Sequence, residues 1–323
     1  MQMGVLGSLL EAIGNTPLVR LDRIRPFGAA TILAKMEQLN PSGSVKARPA
    51  YAMVRAAEQA RLLHPRSILV EASSGNQGIA LAMVGAVLGY RVRIVMPEGM
   101  SEERAQIMRA YGAEIEITPA GANISEAIAN ARRRTEQLAA ADANVFLTEQ
   151  FGNPANPAAH DETTAREVLA ALPTGSRIDA LVSGIGTGGT LTGVGRALRR
   201  AFPGMLVVAV EPEHAAILAG GPVTQHAQQG IGDGLVPDVL DRELIEELMV
   251  VSDEDALATA RLLARLEGAF CGYTSGSNVC AAMRVAARLG EAATVLTLCP
   301  DTGERYLSVG ITGDREVDAG SRS

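Results

Sequence analysis

Lys46 sits at the end of Asn40-Pro41-Ser42-Gly43-Ser44-Val45-Lys46, a short Gly/Ser turn followed by a helix signalled from Ala50 to Ala60. A lysine amine held this way can form a Schiff base with an aldehyde, provided it is positioned and partly deprotonated. A lone lysine on a helix is otherwise a solvated surface charge, so its company decides. Ser73-Ser74-Gly75-Asn76-Gln77 lies between a predicted strand and a predicted helix. Its hydroxyls, backbone N–H groups and amides can cradle a carboxylate. Simple helix capping by the serines uses the same geometry, and the two roles can coexist. Gly186-Thr187-Gly188-Gly189-Thr190 also follows a strand and opens a helix. Glycines let amide N–H groups converge on a phosphate, the helix N-terminus adds partial positive charge, and both threonines can donate. An ordinary tight βα turn is the other reading, and the absence of a following Gly-Lys-Ser/Thr excludes a nucleotide P-loop.

The elements that must position these groups alternate in type. Strands are predicted at 67–70, 91–96, 114–118 and 145–147, and helices at 77–89, 101–112 and 124–139. Glu102 and Glu103 suit a helix start. A second unit carries strands at 180–182, 205–210 and 294–298 and helices at 190–201, 252–267 and 277–289. This alternation predicts parallel sheets with helices on both faces. Phe151 to Pro157 reads as the crossing between the units.

Composition narrows the function classes. A chain of 323 residues buries a large core. With 29 basic against 36 acidic residues and a formal charge of −7, no basic field favours nucleic acid. Cys271, Cys280 and Cys299 form no disulfide framework and no metal spacing, and the four histidines are scattered, so no metal site is expected. No signal peptide is read at the N-terminus, and no apolar run approaches the roughly 18 residues of a membrane helix. The expectation is a cytoplasmic, soluble protein without membrane or nucleic-acid partners.

With Gly14-Asn15-Thr16-Pro17-Leu18-Val19-Arg20-Leu21 added, the motifs stand in the order and spacing of one family. From about Leu10 to about Gly310 the chain resembles the cysteine synthase and cystathionine β-synthase family of pyridoxal-phosphate enzymes, especially its O-acetylserine sulfhydrylases. The resemblance implies the α/β fold type II architecture (tryptophan synthase β-like), with two three-layer α/β domains and the site in the cleft between them. It implies a smaller mobile domain over 40–150, a larger phosphate-binding domain from 1–39 and 151–323, and a homodimer. It further implies pyridoxal 5'-phosphate held by Lys46 as an internal aldimine, with Lys46 also the general base. Asn76 would face the cofactor ring hydroxyl, Gly186 to Thr190 its phosphate, and Thr274 its pyridine nitrogen. On sequence alone, Thr274 or Ser275 could equally be a helix N-cap. A hydroxyl partner leaves that nitrogen largely unprotonated and favours β-elimination chemistry over transamination. Ser73, Ser74, Gly75, Gln77 and Gln150 would hold the substrate carboxylate. The implied reaction is β-replacement on an O-activated L-serine through an α-aminoacrylate, with O-acetylserine and sulfide giving L-cysteine and acetate. Replacement by another nucleophile (homocysteine or an amine), net β-elimination, and a non-catalytic regulatory relative remain as alternatives.

Besides Ser73 in place of a threonine and Thr274 in place of a serine, three positions depart from the family pattern. Ala47 replaces the usual acid after the lysine, Gln77 replaces a threonine, and Asp233 in Gly230-Ile231-Gly232-Asp233-Gly234 replaces a small or aromatic residue. The carboxylate of Asp233 could bind an amino group, tune Lys46 or repel anionic nucleophiles. Its glycine neighbours equally suit a plain turn.

Overall fold

The computed structural model describes residues 4–312, so the ends of the expected 1–39 and 151–323 segments lie outside the described residues. Among the described residues, ten strands form two sheets. One sheet takes β1 (Leu18–Arg20), β2 (Thr31–Met36), β7 (Ala180–Gly184), β8 (Leu206–Pro212), β9 (Glu247–Val251) and β10 (Thr294–Cys299), in the order β1-β2-β10-β7-β8-β9. Only β1 runs antiparallel. The other sheet takes β3 (Ile68–Ala72), β4 (Arg91–Pro97), β5 (Glu114–Thr118) and β6 (Val145–Leu147), in the all-parallel order β5-β4-β3-β6.

Helices cover both faces of each sheet: α1 (Ala47–Gln59), α2 (Asn76–Leu88), α3 (Glu102–Ala110) and α4 (Ile124–Ala141) on the four-stranded one, α5 (Ala155–Ala159), α6 (Ala165–Ala171), α7 (Gly189–Ala201), α8 (Asp253–Leu262) and α9 (Tyr273–Leu289) on the six-stranded one. Period-two side-chain alternation divides the cores. Ala180 and Val182 pack toward α8 and α9, whereas Leu181 packs toward α7 with Leu191 and Val194. Likewise Leu69 faces α1 and α2, and Val70 faces α4. β3 is buried along its whole length, as a central parallel strand must be. Pairing of β2 with β10 in parallel carries the N-terminal strands into the sheet of the C-terminal half. The two α/β units therefore match the expected architecture.

The structure differs from the sequence reading in four places. The helix expected from Ser277 begins at Tyr273 behind a Gly272 cap, so Thr274 lies in its first turn and is not the cap. β9, where the sequence predicts no element, is an edge strand against β8. The crossing segment contains α5, whose Pro157 falls in the first turn, where a missing N–H costs nothing. Helix α8 passes into a single π turn at Leu263–Glu267.

Candidate functional site

Lys46 stands immediately before α1 on a turn that the opposite unit clamps. Val45 donates its N–H to Pro300 O at 2.7 Å, Thr302 donates to Gly43 O at 3.3 Å, and Arg305 donates to Ser42 O. Behind it, the helix is anchored by Arg48. Its guanidinium reaches Glu37 at 2.7 Å and Glu167 at 2.6 Å, with 2 % and 0 % of the Arg48 and Glu37 side chains exposed. Burial pulls the Arg48 charge toward neutrality, but the two carboxylates outweigh it and raise its pKa. Ala47, where the family has an acid, is fully buried.

The Lys46 amine makes no hydrogen bond or ion pair among the described residues, and Lys46 lines two adjoining lobes of one cleft, about 570 and 500 Å³ with their mouths. Burial lowers its pKa, while the charges of Asp233 and Asp301 oppose that shift. A lysine in this state is a usable nucleophile and base.

The first lobe holds the turn before α2. Ser73 Oγ accepts from Gly75 N at 3.1 Å and Gly78 N at 3.0 Å, which leaves its own proton for a guest. Ser74 lines the lobe, and Gln77, 2 % exposed, has neither amide atom paired. Gly75 turns toward Arg104, whose Cδ would lie 2.4 Å from an added Cβ. Gln150 reaches the same lobe from beyond β6, its N–H on Glu71 at 3.1 Å and its Nε2 on Ala72 O at 3.2 Å. Burial pushes the Glu71 carboxyl up to about 7, against the hydrogen bonds it accepts from Thr148 and Gln150.

The second lobe ends at the N-terminus of α7. Gly186, Thr187 and Gly188 donate no backbone hydrogen bond among the described residues. A Cβ at Gly186 would meet Gly230 O at 2.4 Å, and Gly188 adopts φ +76°, so only glycine fits either place. Asn156 donates to Thr187 Oγ1 at 3.1 Å, which orients that hydroxyl's proton outward. Thr190 bonds His160 Nε2 at 3.2 Å, and burial holds that imidazole neutral. Gly189 is packed against Asn156 and does not line the cavity. Unpaired amides, the Thr187 hydroxyl proton and a helix N-terminus suit a phosphate.

Between the lobes, Asn76 is gripped from the other unit: Nδ2 donates to Asp301 Oδ2 at 2.7 Å and Oδ1 accepts from Arg305. Thr274 lines the second lobe, its hydroxyl 3.5 Å from Gln229 O. Asp233 lines the first lobe, facing Lys46. A cleft with an uncommitted lysine, a donor-rich carboxylate turn and a phosphate cradle fits pyridoxal 5'-phosphate and an amino acid. Among the described residues no group of three or more His, Cys, Asp or Glu could hold a metal.

Lys46, Ser73, Ser74, Asn76, Gln77, Gln150, Thr187 and Asp233 thus share one lobe, and Gly186, Gly188, Thr190 and Thr274 the other. Sequence reasoning missed Glu71, Arg104, Asn156, Asp301 and Arg305. Only the acidic and basic residues next to the predicted strand ends at 70 and 298 hinted at them.

The family described as "Pyridoxal-phosphate dependent enzyme" matches residues 9–301. The chain is 43% identical over 305 residues to the "Probable cysteine synthase" of Bacillus subtilis (strain 168), covering 94% of this chain and 97% of that one. Among solved structures it is similar to O-ureido-L-serine synthase (TM-score 0.89, 43% identity, 98% of each chain). It is also similar to cysteine synthase from Entamoeba histolytica (TM-score 0.89, 36% identity, 99% and 94% of the two chains). The chain belongs to the pyridoxal-phosphate dependent enzymes of fold type II, in the group of the cysteine synthases.

Proposed function

We propose that this enzyme performs β-replacement on an O-activated L-serine, converting O-acetylserine and sulfide into L-cysteine and acetate. The observation that carries this reading is the unpaired Lys46 amine standing between a donor-rich carboxylate turn and a phosphate cradle. Cysteine synthases among its relatives support the choice of substrates.

In this reading Lys46 anchors the cofactor, Gly186, Thr187, Gly188 and Thr190 hold its phosphate, Asn76 faces its ring oxygen and Thr274 its ring nitrogen. When bound, the cofactor supplies an electron sink for charge developing at the substrate α-carbon. Ser73, Ser74, Gln77, the Gly75 turn and Gln150 bind the substrate carboxylate. Lys46 takes the α-proton and later returns it; burial lowers its pKa, which favours the free amine that the first transfer needs. The unit of residues 40–150 is the smaller, moving one, and carboxylate binding at Ser73 to Gln77 draws it onto the larger unit, excluding water.

Exposed Val5, Leu6, Leu9, Val19 and Phe27 support self-association as a homodimer. Three free, buried cysteines suit a reducing compartment such as the cytoplasm. No described helix is long and apolar enough to cross a membrane.

The test is an absorbance spectrum of pure protein before and after O-acetylserine, with borohydride trapping and peptide mapping. A cofactor band that changes with O-acetylserine, a label on Lys46 and cysteine on adding sulfide are expected. A band indifferent to O-acetylserine overturns the substrate assignment, and a label elsewhere overturns the role of Lys46.

A further inference from the structure

Asp233 lines the Lys46 cleft, and its carboxylate makes no hydrogen bond or ion pair among the described residues. Its loop is built to hold one position. Gly230, Gly232 and Gly234 have φ of 114°, 68° and 70°, and Gly232 donates its N–H to Ile185 O at 2.9 Å. A side chamber of about 470 Å³ adjoins the cleft, sharing Ser74, Gly230 and Asp233 and running past His226 and Gln229 to the exposed Gln225. His226 Nε2 lies 3.0 Å from Gly232 O and must therefore carry the proton. Its Nδ1 is buried with no partner among the described residues. The chamber thus presents the Asp233 carboxylate, which no described donor satisfies, beside that unpartnered ring nitrogen. A ligand bringing N–H, O–H or S–H groups fits the carboxylate; an anion does not.

Resting on the β-replacement reading above, we propose that this chamber receives the second substrate as a neutral, proton-bearing nucleophile and that Asp233 takes its proton as the new bond forms. The X–H bond breaks, its proton passes to an Asp233 oxygen, and the electron pair left on X bonds the substrate β-carbon from which the leaving group has departed with its own pair. The α-carbon recovers its proton from Lys46, and Asp233 sheds its proton to solvent past Gln225. The net reaction is O-acyl serine plus H–X giving X-substituted alanine, carboxylate and one proton.

Burial raises the Asp233 pKa, while Lys46 from the start of α1 and His226 from its own loop pull it down. Gly186, Thr274, Pro212, Val223 and Ser125, also packed on this loop, bring no charge, and the Arg104 guanidinium from α3, which lines the same lobe, donates to Gln229. The group therefore titrates above an ordinary carboxylate, closer to the range where a base is effective.

The test compares wild-type, Asp233→Asn and Asp233→Ala holoenzymes with two nucleophiles: 2-mercaptoethanol near neutral pH, which arrives neutral and protonated, and sulfide at alkaline pH, already the bisulfide anion. The cofactor band reports folding and the first half-reaction separately. We expect kcat/KM for 2-mercaptoethanol to fall about 10²-fold in Asp233→Asn, far more than for bisulfide. Its acid limb should vanish, and formate should restore much of the lost rate in Asp233→Ala. Equal losses with both nucleophiles, or no formate rescue, would overturn the proposal. A wild-type band that never responds to O-acetylserine would instead overturn the β-replacement reading, and this assignment with it.

Discussion

Asn76 Nδ2 donates to Asp301 Oδ2 across 2.7 Å, joining two residues 225 positions apart. One opens helix α2 beside the four-stranded sheet and the other follows the last strand of the six-stranded sheet. Asp301 also accepts from the Tyr306 hydroxyl at 2.5 Å, so a single buried carboxylate holds together the residues that surround Lys46.

Asp301→Ala removes both charge-assisted bonds and leaves Asn76 Nδ2 and the Tyr306 hydroxyl without that acceptor. Stability should drop by about 2–3 kcal/mol, and the cofactor should dissociate more readily because Asn76 is no longer fixed. Urea unfolding and a spectrophotometric cofactor titration check the two effects; unchanged cofactor affinity would show that Asn76 holds its position without Asp301.

Gly186→Ala places a methyl group where Gly230 O lies 2.4 Å away. The 230 loop or the turn before α7 must shift, and the phosphate cradle opens. Cofactor retention after dialysis should fall on the order of tenfold or more, since one displaced amide donor costs about 1.5–3 kcal/mol toward a charged group. Full retention with native spectra would remove the cradle assignment.

Arg48→Lys keeps the charge and loses the fork that bonds Glu37 and Glu167 together. Lysine cannot reproduce that geometry, and Glu37 is wholly buried. A loss of about 3 kcal/mol is expected, toward the cost of breaking a buried pair. Because α1 carries Lys46 at its start, kcat should fall as well. The Glu167 carboxyl is held down at about 2 chiefly by its hydrogen bond and charge contact with Arg48, which outweigh burial. Its stabilisation is present above the unfolded pKa and is lost as pH drops through 2. In Arg48→Met that acid limb should move to higher pH, as read by acid denaturation.

Glu71 behaves in the opposite sense. Its folded pKa of about 7 exceeds the ordinary 4.5, so the folded state binds the extra proton. The resulting stability is complete below pH 4.5 and is lost as pH rises through 7. The window spans about 3 kcal/mol, an upper figure because local relaxation reduces it. Glu71→Gln cannot ionise, so its stability relative to wild type should improve steadily from pH 5 to pH 8 in urea titrations. As Glu71 anchors the Gln150 N–H at 3.1 Å, the variant should also flatten any pH dependence of substrate KM in that range.

The parts of this protein that the sequence itself determined are short and local. The Lys46 turn, the Ser73–Gly78 turn and the Gly186–Thr190 turn each encode their geometry within about six residues, through glycine freedom, hydroxyl donors and a helix start. The alternation of buried strands and amphipathic helices is equally local, so the layering of two α/β units was legible as well. Tertiary structure alone decided the partners. Asp301 and Arg305 reach Asn76, Glu71 reaches Gln150 79 positions away, and Arg104 reaches Gln229 125 positions away. The setting of Asp233 between Lys46 and His226 was equally hidden. A hydrogen bond depends on where two atoms lie to within a few tenths of an ångström, and no spacing in the chain specifies that between residues so far apart. The start of α9 shows the same division: Thr274 was recognisable by its motif, but its place inside the helix and against Gln229 follows from packing between units.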